Sequence, residues 1–418
     1  MRTFKTEGFQ GREFVAAIAI AIPVFLATML VEWRLLLRRG DSDYRFEDTF
    51  SNLACGVGSQ LWGALSAIVS WYAYTLIADS VMLLDWWTGG AGDWVLAILA
   101  IDLSYYWFHR ISHRVRFFWS FHVVHHQSES YNLSVALRQS WFGGFVSWIF
   151  YTPWLMLGIP PTPLIVAKLV NLLYQYWIHT RLIDQLPLGL EWIMSSPSNH
   201  RVHHGRDDRS LDTNYGGIFI VWDRIFGTYV AESEEPPYGT VSPIKAWDPV
   251  HANLEGFQKM GEHLRASKSV KQYFLSIFGP PEWQPPLATG GEQERLSLYQ
   301  GTSSQPSTVL RYVVIQFFVS TGWLLIWLSG RSTLGDWPEA LLSASVILGL
   351  WAWGALLGSS ATTWVVLEGL RLGLIGAAAW MMDGLVMEAW LATGLLAAYF
   401  LLVALEQKTR SKEAPDCP

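Results

Sequence analysis

The sequence predicts an all-α integral membrane protein with about nine transmembrane or hairpin helices. Of its 418 residues, 51% are hydrophobic and only 15% are charged. In a typical soluble domain about a quarter of the residues are charged. The second observation is a series of apolar runs, each about long enough to cross a bilayer. The third is that most of the 11 histidines fall in three short segments, HRISH, HVVHH and HRVHH. These segments indicate one polar, chemically specialised region.

The predicted spans follow the apolar runs in chain order. Prolines in the segment 159–163 join two of the runs, and because proline breaks helices this pair is predicted to form a hairpin that enters and leaves on the same side. Five runs precede residue 180 and four follow residue 309: 14–31, 53–77, 94–108, 141–158, 164–178, 312–328, 340–357, 362–381 and 388–405.

Charge next to the spans predicts the orientation of the protein. Arginines follow the first run and the third, whereas the loop 78–93 carries aspartates and no Lys or Arg. The positive-inside rule therefore places the histidine segments in the cytoplasm, at a bacterial inner membrane or the endoplasmic reticulum. The mixed polar residues 180–277 are predicted to form a cytoplasmic helical cap. Three domains follow: 1–278 with the histidines, a linker rich in Pro, Gly, Ser and Gln at 279–308, and a four-helix membrane region at 309–418.

The histidine spacing predicts imidazoles that share a helix face. Residues three or four apart lie on one side of a helix, and this relation holds within each segment: His109 and His113; His122, His125 and His126; His200, His203 and His204. His179 ends the predicted hairpin at the same depth. Alone, it is interpreted equally well as an interfacial side chain or as a ligand. His251 and His263 have no partner at such a spacing and are interpreted as ordinary cap histidines.

Convergent neutral imidazoles are typical ligands of Fe, Zn, Cu or Ni. Eight clustered histidines and His179 are too many for one ion, so two ions with four to five nitrogens each are expected. The glutamate of HExxH and the Glu-x-x-His pattern are both missing, which argues against a zinc protease and a carboxylate-bridged di-iron protein. The pattern favours a histidine-rich di-iron site for O2 chemistry. A zinc hydrolase and a metal transporter are weaker alternatives; a transporter would place its histidines inside the spans.

Acidic residues near the histidines are candidates for supporting roles. Asp102 precedes His109 by seven residues and His113 by eleven, so all three share one helical stripe. We therefore expect Asp102 to accept a hydrogen bond from a ligating imidazole. No dinucleotide fingerprint or cysteine cluster is visible, so electrons must come from an external donor. The net charge of −6 argues against nucleic-acid binding.

The motifs resemble those of the fatty acid hydroxylase (sterol desaturase-like) superfamily, and within it those of the alkylglycerol monooxygenases. The resemblance covers roughly residues 45–245. It lies in these segments: DLSYYWFHRISH (102–113), HVVHHQSESYNLSVALRQS (122–140), LLYQYWIHT (172–180), SNHRVHHGRDDRSLDTNYGG (198–217) and VWDRIFGTY (221–229).

This resemblance implies a membrane di-iron monooxygenase that hydroxylates a lipid with O2. In the alkylglycerol case the carbon beside an ether oxygen is hydroxylated, with tetrahydrobiopterin as electron donor, and an aldehyde and a glycerol product result. Glu129 and Tyr215 are the implied contacts to substrate or cofactor. Arg114 stands where the animal members carry an acid, which puts pterin use in question. The implied metal ligands are His109, His113, His122, His125, His126, His179, His200, His203 and His204.

Several choices stay open at this level. The substrate could instead be a fatty acyl chain, a sterol, a carotenoid or an aminolipid, and desaturation could replace hydroxylation. The C-terminal spans contain no histidine and are interpreted as a structural or dimerising bundle, so that a homodimer is one option for the oligomeric state. Glu368 and Arg371 within them are expected to pair with each other.

Overall fold

The computed structural model describes residues 11–41, 44–187, 189–242, 247–286, 306–328, 335–358, 361–381, 399–401 and 403–404. These residues divide into two compact units. The larger unit contains the described residues of 24–244 and 252–299, and the smaller one those of 11–23, 245–251 and 300–418. All three histidine segments lie in the larger unit.

The prediction of an all-α protein is confirmed, since the described residues form helices and only two isolated β-bridges. The helices up to residue 286 are α1 (Gly11–Arg38), α2 (Phe46–Val81), α3 (Ala91–Arg114), α4 (Arg116–His126), α5 (Gly144–Ser147), α6 (Thr152–Met156), α7 (Pro161–Trp177), α8 (Pro197–His203), α9 (Val221–Phe226), α10 (Pro249–Ala266) and α11 (Val270–Phe278).

The core of the larger unit forms where α2, α3, α6 and α7 meet. Tyr74, Ile101, Leu155 and Leu164 are all fully buried there. Small side chains on the facing helices, such as the buried Ala167, allow the backbones to approach closely. This packing holds the ends of α3 and α7, which carry histidines, side by side.

Both arms of the predicted hairpin are helical. The second arm is the regular helix α7, which begins at the predicted prolines. The first arm is one continuous helical segment from 144 to 156, in which α5 and α6 flank a 3₁₀ turn at Trp148–Tyr151. It is a few residues shorter than the predicted arm at 141–158. Pro153, which has no backbone N–H to donate, lies in the first turn of α6, directly after the 3₁₀ turn.

The chain that follows the histidine segment of α4 packs closely against the backbone of α2. A Cβ on Gly58 of α2 would lie 2.3 Å from the ring of Trp141. Only glycine therefore leaves room for this indole, whose Nε1 donates to the carbonyl of Cys55 at 3.0 Å. The contact holds the chain after α4 against α2.

Four described helices are long and apolar enough to cross a bilayer: Phe46–Val81, Ser307–Trp327, Asp336–Leu357 and Thr363–Trp380. The chain is therefore a membrane protein, as predicted. The total of nine spans and the cytoplasmic position of the cap stay predictions. The predicted span 388–405 lies outside the described residues except for 399–401 and 403–404.

The smaller unit contains α12 (Ser307–Leu328), α13 (Asp336–Leu357) and α14 (Ala361–Trp380). The expected pairing inside it is confirmed: the Arg371 guanidinium contacts both carboxylate oxygens of Glu368, at 2.6 and 2.9 Å. Gln316 Oε1 accepts a further hydrogen bond from Arg371 at 3.0 Å. This buried pair ties α14 to α12.

Candidate metal centre

The nine histidines predicted as ligands lie together in two groups. Within each group, one nitrogen from every imidazole lies within 4.8 Å of the others. The five-histidine group contains His109, His113, His122, His126 and His203, and the four-histidine group contains His125, His179, His200 and His204. His251 and His263 belong to neither group, as expected.

Four helices supply these side chains. The last two turns of α3 carry His109 and His113, and α4 carries three histidines. His179 follows the end of α7, and α8 with the residue that caps it supplies the rest. The helix α8 has only seven residues and is stabilised by a capping box, in which Ser196 and Asn199 exchange side-chain and backbone hydrogen bonds. Both α4 and α8 contribute to both groups. The groups therefore form as one folded assembly.

Backbone carbonyls orient four of the imidazoles. Their Nδ1 atoms lie 2.8–3.2 Å from carbonyl oxygens: His109 at Tyr215, His125 at Arg138, His179 at Gln175 and His203 at Thr213. A carbonyl can only accept, so each Nδ1 carries the proton of the neutral ring. Each Nε2 is then an unprotonated lone pair directed away from the backbone.

The Nε2 atoms face one another in an arrangement that suits a bound cation. His125 and His179 approach to 3.3 Å through Nε2, although both of these atoms are unprotonated by the argument above. No proton can lie between them, and two lone pairs repel. The buried Nε2 atoms of His113 and His203 have no hydrogen-bond partner among the residues that the structure describes. A metal ion in each group would satisfy these nitrogens, so the residues fit the predicted pair of metals.

Burial keeps the imidazoles neutral and therefore able to bind metal. Burial lowers the pKa of His125 to about 4. It also lowers the pKa of His200 and His204 well below the usual value for histidine, and the adjacent histidines lower it further. At neutral pH these rings carry no charge, so a cation meets no repulsion from them.

Asp102 does not have the predicted contact with a histidine. It is fully buried, and its carboxylate accepts hydrogen bonds from the side chains of Asn171 and Trp222 and from the backbone N–H groups of Ile218 and Phe219, at 2.5–3.1 Å. The expectation that it orients an imidazole is therefore wrong. Asp102, His109 and His113 share one stripe of α3, as predicted. The carboxylate of Asp102, however, is occupied by the backbone N–H groups of the turn at 217–219.

Tyr215 lies beside the five-histidine group, whereas Glu129 has a different setting. The Tyr215 ring centroid is 5.3 Å from that of His113 and 5.7 Å from that of His109. The Glu129 carboxylate instead contacts Arg45 at 3.4 Å. Substrate or cofactor contact stays a prediction for both residues.

Asp212 is the carboxylate that faces a candidate ligand. Its Oδ1 lies 3.5 Å from Nδ1 of His113, and its Oδ2 accepts from Arg114 at 2.5 Å. Although burial raises the pKa of Asp212, its contacts with His113 and Arg114 lower it below the usual value. The backbone of Asp212 has a left-handed φ of 60°. No helical spacing links Asp212 to His113, so this contact could not be predicted from the sequence.

Arg138 is a buried positioning residue that sequence reasoning missed. Its guanidinium donates to the Val124 carbonyl at 2.7 Å and to Ser51, Asn52 and Gln127 at 2.8–3.0 Å. Its own carbonyl accepts from His125. The arginine therefore ties α2 to α4 next to a candidate ligand. Its place in the matched segment 122–140 is the signal that could have revealed it.

Glu32 of α1 has a similar role at the four-histidine group. Its buried carboxylate accepts from the backbone N–H of Leu133 at 2.8 Å and from the hydroxyls of Tyr44 and Thr180. Thr180 directly follows His179. A carboxylate at the edge of an apolar run usually has a task, and this argument could have identified Glu32.

Comparison with known proteins agrees with this geometry. Residues 94–228 match the family model of fatty acid hydroxylases. The alkylglycerol monooxygenase of Homo sapiens is 38% identical over 306 residues, which cover 71% of this chain and 68% of the relative. That of Danio rerio is 36% identical over 361 residues, 85% of this chain and 80% of the relative. That of Xenopus tropicalis is 40% identical over 241 residues, which cover 58% of this chain and 54% of the relative. No solved structure matches significantly.

The fold and the two histidine groups thus define a helical membrane protein of the fatty acid hydroxylase class. Within that class, the chain belongs to the alkylglycerol monooxygenase family. The relationship predicted from the histidine motifs is confirmed, and with it the type of enzyme, an oxygen-dependent lipid monooxygenase.

Proposed function

We propose that the protein is a di-iron monooxygenase that hydroxylates the ether-linked carbon of alkylglycerol lipids with O2. The observation that carries the proposal is the pair of histidine groups with Nε2 atoms facing one another. The family supports the choice of substrate, since three relatives at 36–40% identity are named for alkylglycerol.

The five-histidine group would hold one iron and the four-histidine group the other. Bound there, the irons would supply the activation of O2. All nine ligands are neutral, which distinguishes this centre from carboxylate-bridged di-iron sites. Asp212, facing His113, would contribute negative charge at the edge of the five-histidine group.

The chain's own residues would orient the ligands and exclude water. The carbonyls of Tyr215, Arg138, Gln175 and Thr213 fix four imidazole rings, so little reorganisation accompanies metal binding. Aromatic rings cover the groups: Trp119 lies 5.1 Å from His113 and Tyr131 lies 5.9 Å from His179, measured between ring centroids. Such a covered site protects reactive species from bulk water.

The overall reaction needs two electrons and two protons besides O2. One oxygen atom enters the C–H bond next to the ether oxygen and the other leaves as water. The hemiacetal so formed breaks into an aldehyde and a glycerol product. The electrons would come from an external donor, with tetrahydrobiopterin as the candidate implied by the family, and the site would face the cytoplasm. Arg114, which pairs with Asp212 beside His113, would affect the choice of donor.

The experiment is turnover of the purified protein in detergent, loaded with iron, with a 1-O-alkylglycerol and tetrahydrobiopterin. We expect substrate-dependent O2 uptake and release of one aldehyde per O2 consumed. The matched control is the 1-O-acylglycerol of the same chain length, which has an ester in place of the ether and should give no aldehyde.

Each outcome assigns a substrate class. Hydroxylation of the acyl, sterol, carotenoid or aminolipid substrates without cleavage of the ether would contradict the ether-lipid proposal while keeping the monooxygenase. Aldehyde release in the absence of O2 would contradict the monooxygenase itself.

A further inference from the structure

The helix α11 has its apolar side turned outwards. Its exposed residues include Val270, Tyr273, Phe274 and Phe278, of which Val270 is 86% and Phe274 59% exposed. Its one buried side chain is polar: Ser276 is fully buried beside the half-buried Leu275 and Ile277, and its hydroxyl lies 2.9 Å from that of Ser267. A helix of a soluble protein has the opposite arrangement.

The preceding helix shows that this inversion is local. The exposed positions in the second half of α10 are all polar: Gln258, Lys259, Glu262 and Arg265. The change from a polar to an apolar exposed face therefore occurs at the turn between α10 and α11. Water suits the outer face of α10, whereas the outer face of α11 needs an apolar environment.

The position of α11 places it next to a predicted membrane helix. The carbonyl of Gly279, directly after α11, accepts from the backbone N–H of Arg116 at 2.9 Å. Arg116 is two residues beyond the end of α3. On α3, the exposed Trp107 is followed one turn later by Arg110 and then by Arg114, a sequence typical of the membrane–water boundary. The end of α11 therefore lies near this boundary.

Charge and area favour a lipid surface over a second copy of the chain. Residues 263–281 contain Arg265, Lys268 and Lys271 and no Asp or Glu, which suits anionic headgroups. Three half-exposed aromatic rings offer about 300 Å² of contact. A stable protein interface needs about 800 Å² from each partner.

From these observations we propose that α11 lies in the plane of the membrane, with its apolar face in the headgroup–acyl boundary. With nine residues it is too short to cross the bilayer. Arg116 fixes it to α4, which carries three of the candidate ligands, since its guanidinium also donates to the carbonyl of Pro281 at 2.9 Å. The lipid surface would thus be held at a constant distance from the metal centre. This proposal is independent of the substrate.

The test is site-directed spin labelling of the full chain in nanodiscs of mixed zwitterionic and anionic lipid. A label at Phe274→Cys is compared with one at Lys259→Cys on α10, both in a Cys417→Ser background. The other cysteine, Cys55, is fully buried and should stay unlabelled. Relaxation by O2, which concentrates in lipid, is measured against relaxation by a water-soluble nickel chelate.

We expect the ratio of O2 to nickel accessibility to be about threefold or more higher at position 274 than at 259. Equal ratios would overturn the proposal. Spin–spin broadening at 274 that disappears when unlabelled chain is added in excess would also overturn it, because a second copy would then cover the face. If Phe274→Cys fails to fold, Val270→Cys provides the same comparison.

Discussion

The Nδ1 atom of His109 lies 2.9 Å from the backbone carbonyl oxygen of Tyr215. This contact joins the end of α3 to a turn more than a hundred residues later in the chain. It fixes which nitrogen of His109 carries the proton and directs the other nitrogen towards the five-histidine group. Carbonyls of Arg138, Gln175 and Thr213 do the same for three other histidines. Orientation of these four candidate ligands therefore depends on backbone placement.

Two buried carboxylates hold that backbone. Asp223 accepts from the N–H groups of Tyr215 and Gly216 at 2.8 Å. Asp102 accepts from the N–H groups of Ile218 and Phe219, on the other side of Gly217. The two carboxylates therefore act on His109 only through the turn that they hold. Their loss should lower the stability of the fold more than it changes the chemistry of the metal centre.

For Asp102→Asn we expect a loss of stability of about 2–4 kcal/mol, because an amide group would turn a donor towards the N–H groups that now bind a carboxylate. The midpoint of thermal unfolding of the metal-free protein in detergent measures this. Asp208→Asn, at an exposed position of the same region, is the matched control and should change little. An Asp102→Asn protein of unchanged stability but altered metal affinity would favour the direct imidazole contact instead.

The Arg114–Asp212 pair predicts an effect on the electron donor. Arg114→Glu would place a second carboxylate beside Asp212, where a guanidinium now lies 2.5 Å away, and would change the charge next to His113. We expect the apparent KM for tetrahydrobiopterin to change by about tenfold, with the KM for lipid unchanged. Arg114→Gln separates loss of the cation from gain of the acid. Donor kinetics equal to the parent in both variants would contradict a donor contact at this edge.

Buried neutral histidines predict acid sensitivity of the metal-free protein. The pKa of His125 is about 4 in the folded protein and 6.5 in the unfolded chain. The unfolded chain therefore binds the proton first, so stability is fully present above pH 6.5 and is lost as pH falls towards 4. This one residue contributes roughly 3 kcal/mol to that loss.

Thermal unfolding of the metal-free protein between pH 7.5 and pH 5 measures the effect, and we expect a steadily falling midpoint. The His125→Gln variant is the comparison and should show a shallower dependence on pH. A midpoint that rises on acidification would mean that the histidines are not held neutral by burial.

The sequence predicted the parts of this protein that depend on local spacing. Imidazoles three or four residues apart were expected on common helix faces. The pairs four apart lie together in one group each, whereas the pairs three apart, His122 with His125 and His200 with His203, are divided between the two groups. The pairing in the C-terminal region, Glu368 with Arg371, follows from the same rule. His179 could not be assigned from spacing alone, because its partners come from α4 and α8.

Contacts between distant segments could not be predicted. Helical spacing predicted that an imidazole would donate to Asp102, but the backbone of the turn at 217–219 donates instead. The contact between Asp212 and His113 depends on a loop in which Asp212 has a left-handed backbone. The inverted face of α11 was also missed, since an amphipathic pattern states which side is apolar but not which side faces inwards.

The most direct test of the account is the metal content of the purified, iron-reconstituted protein and of two variants, His203→Ala in the five-histidine group and His200→Ala in the four-histidine group. We expect about two irons per chain in the parent and about one in each variant, with turnover reduced about 100-fold or more. His251→Ala, outside both groups, should keep both irons. Two irons and full turnover in either ligand variant would contradict the assignment of the histidine groups as the metal centre.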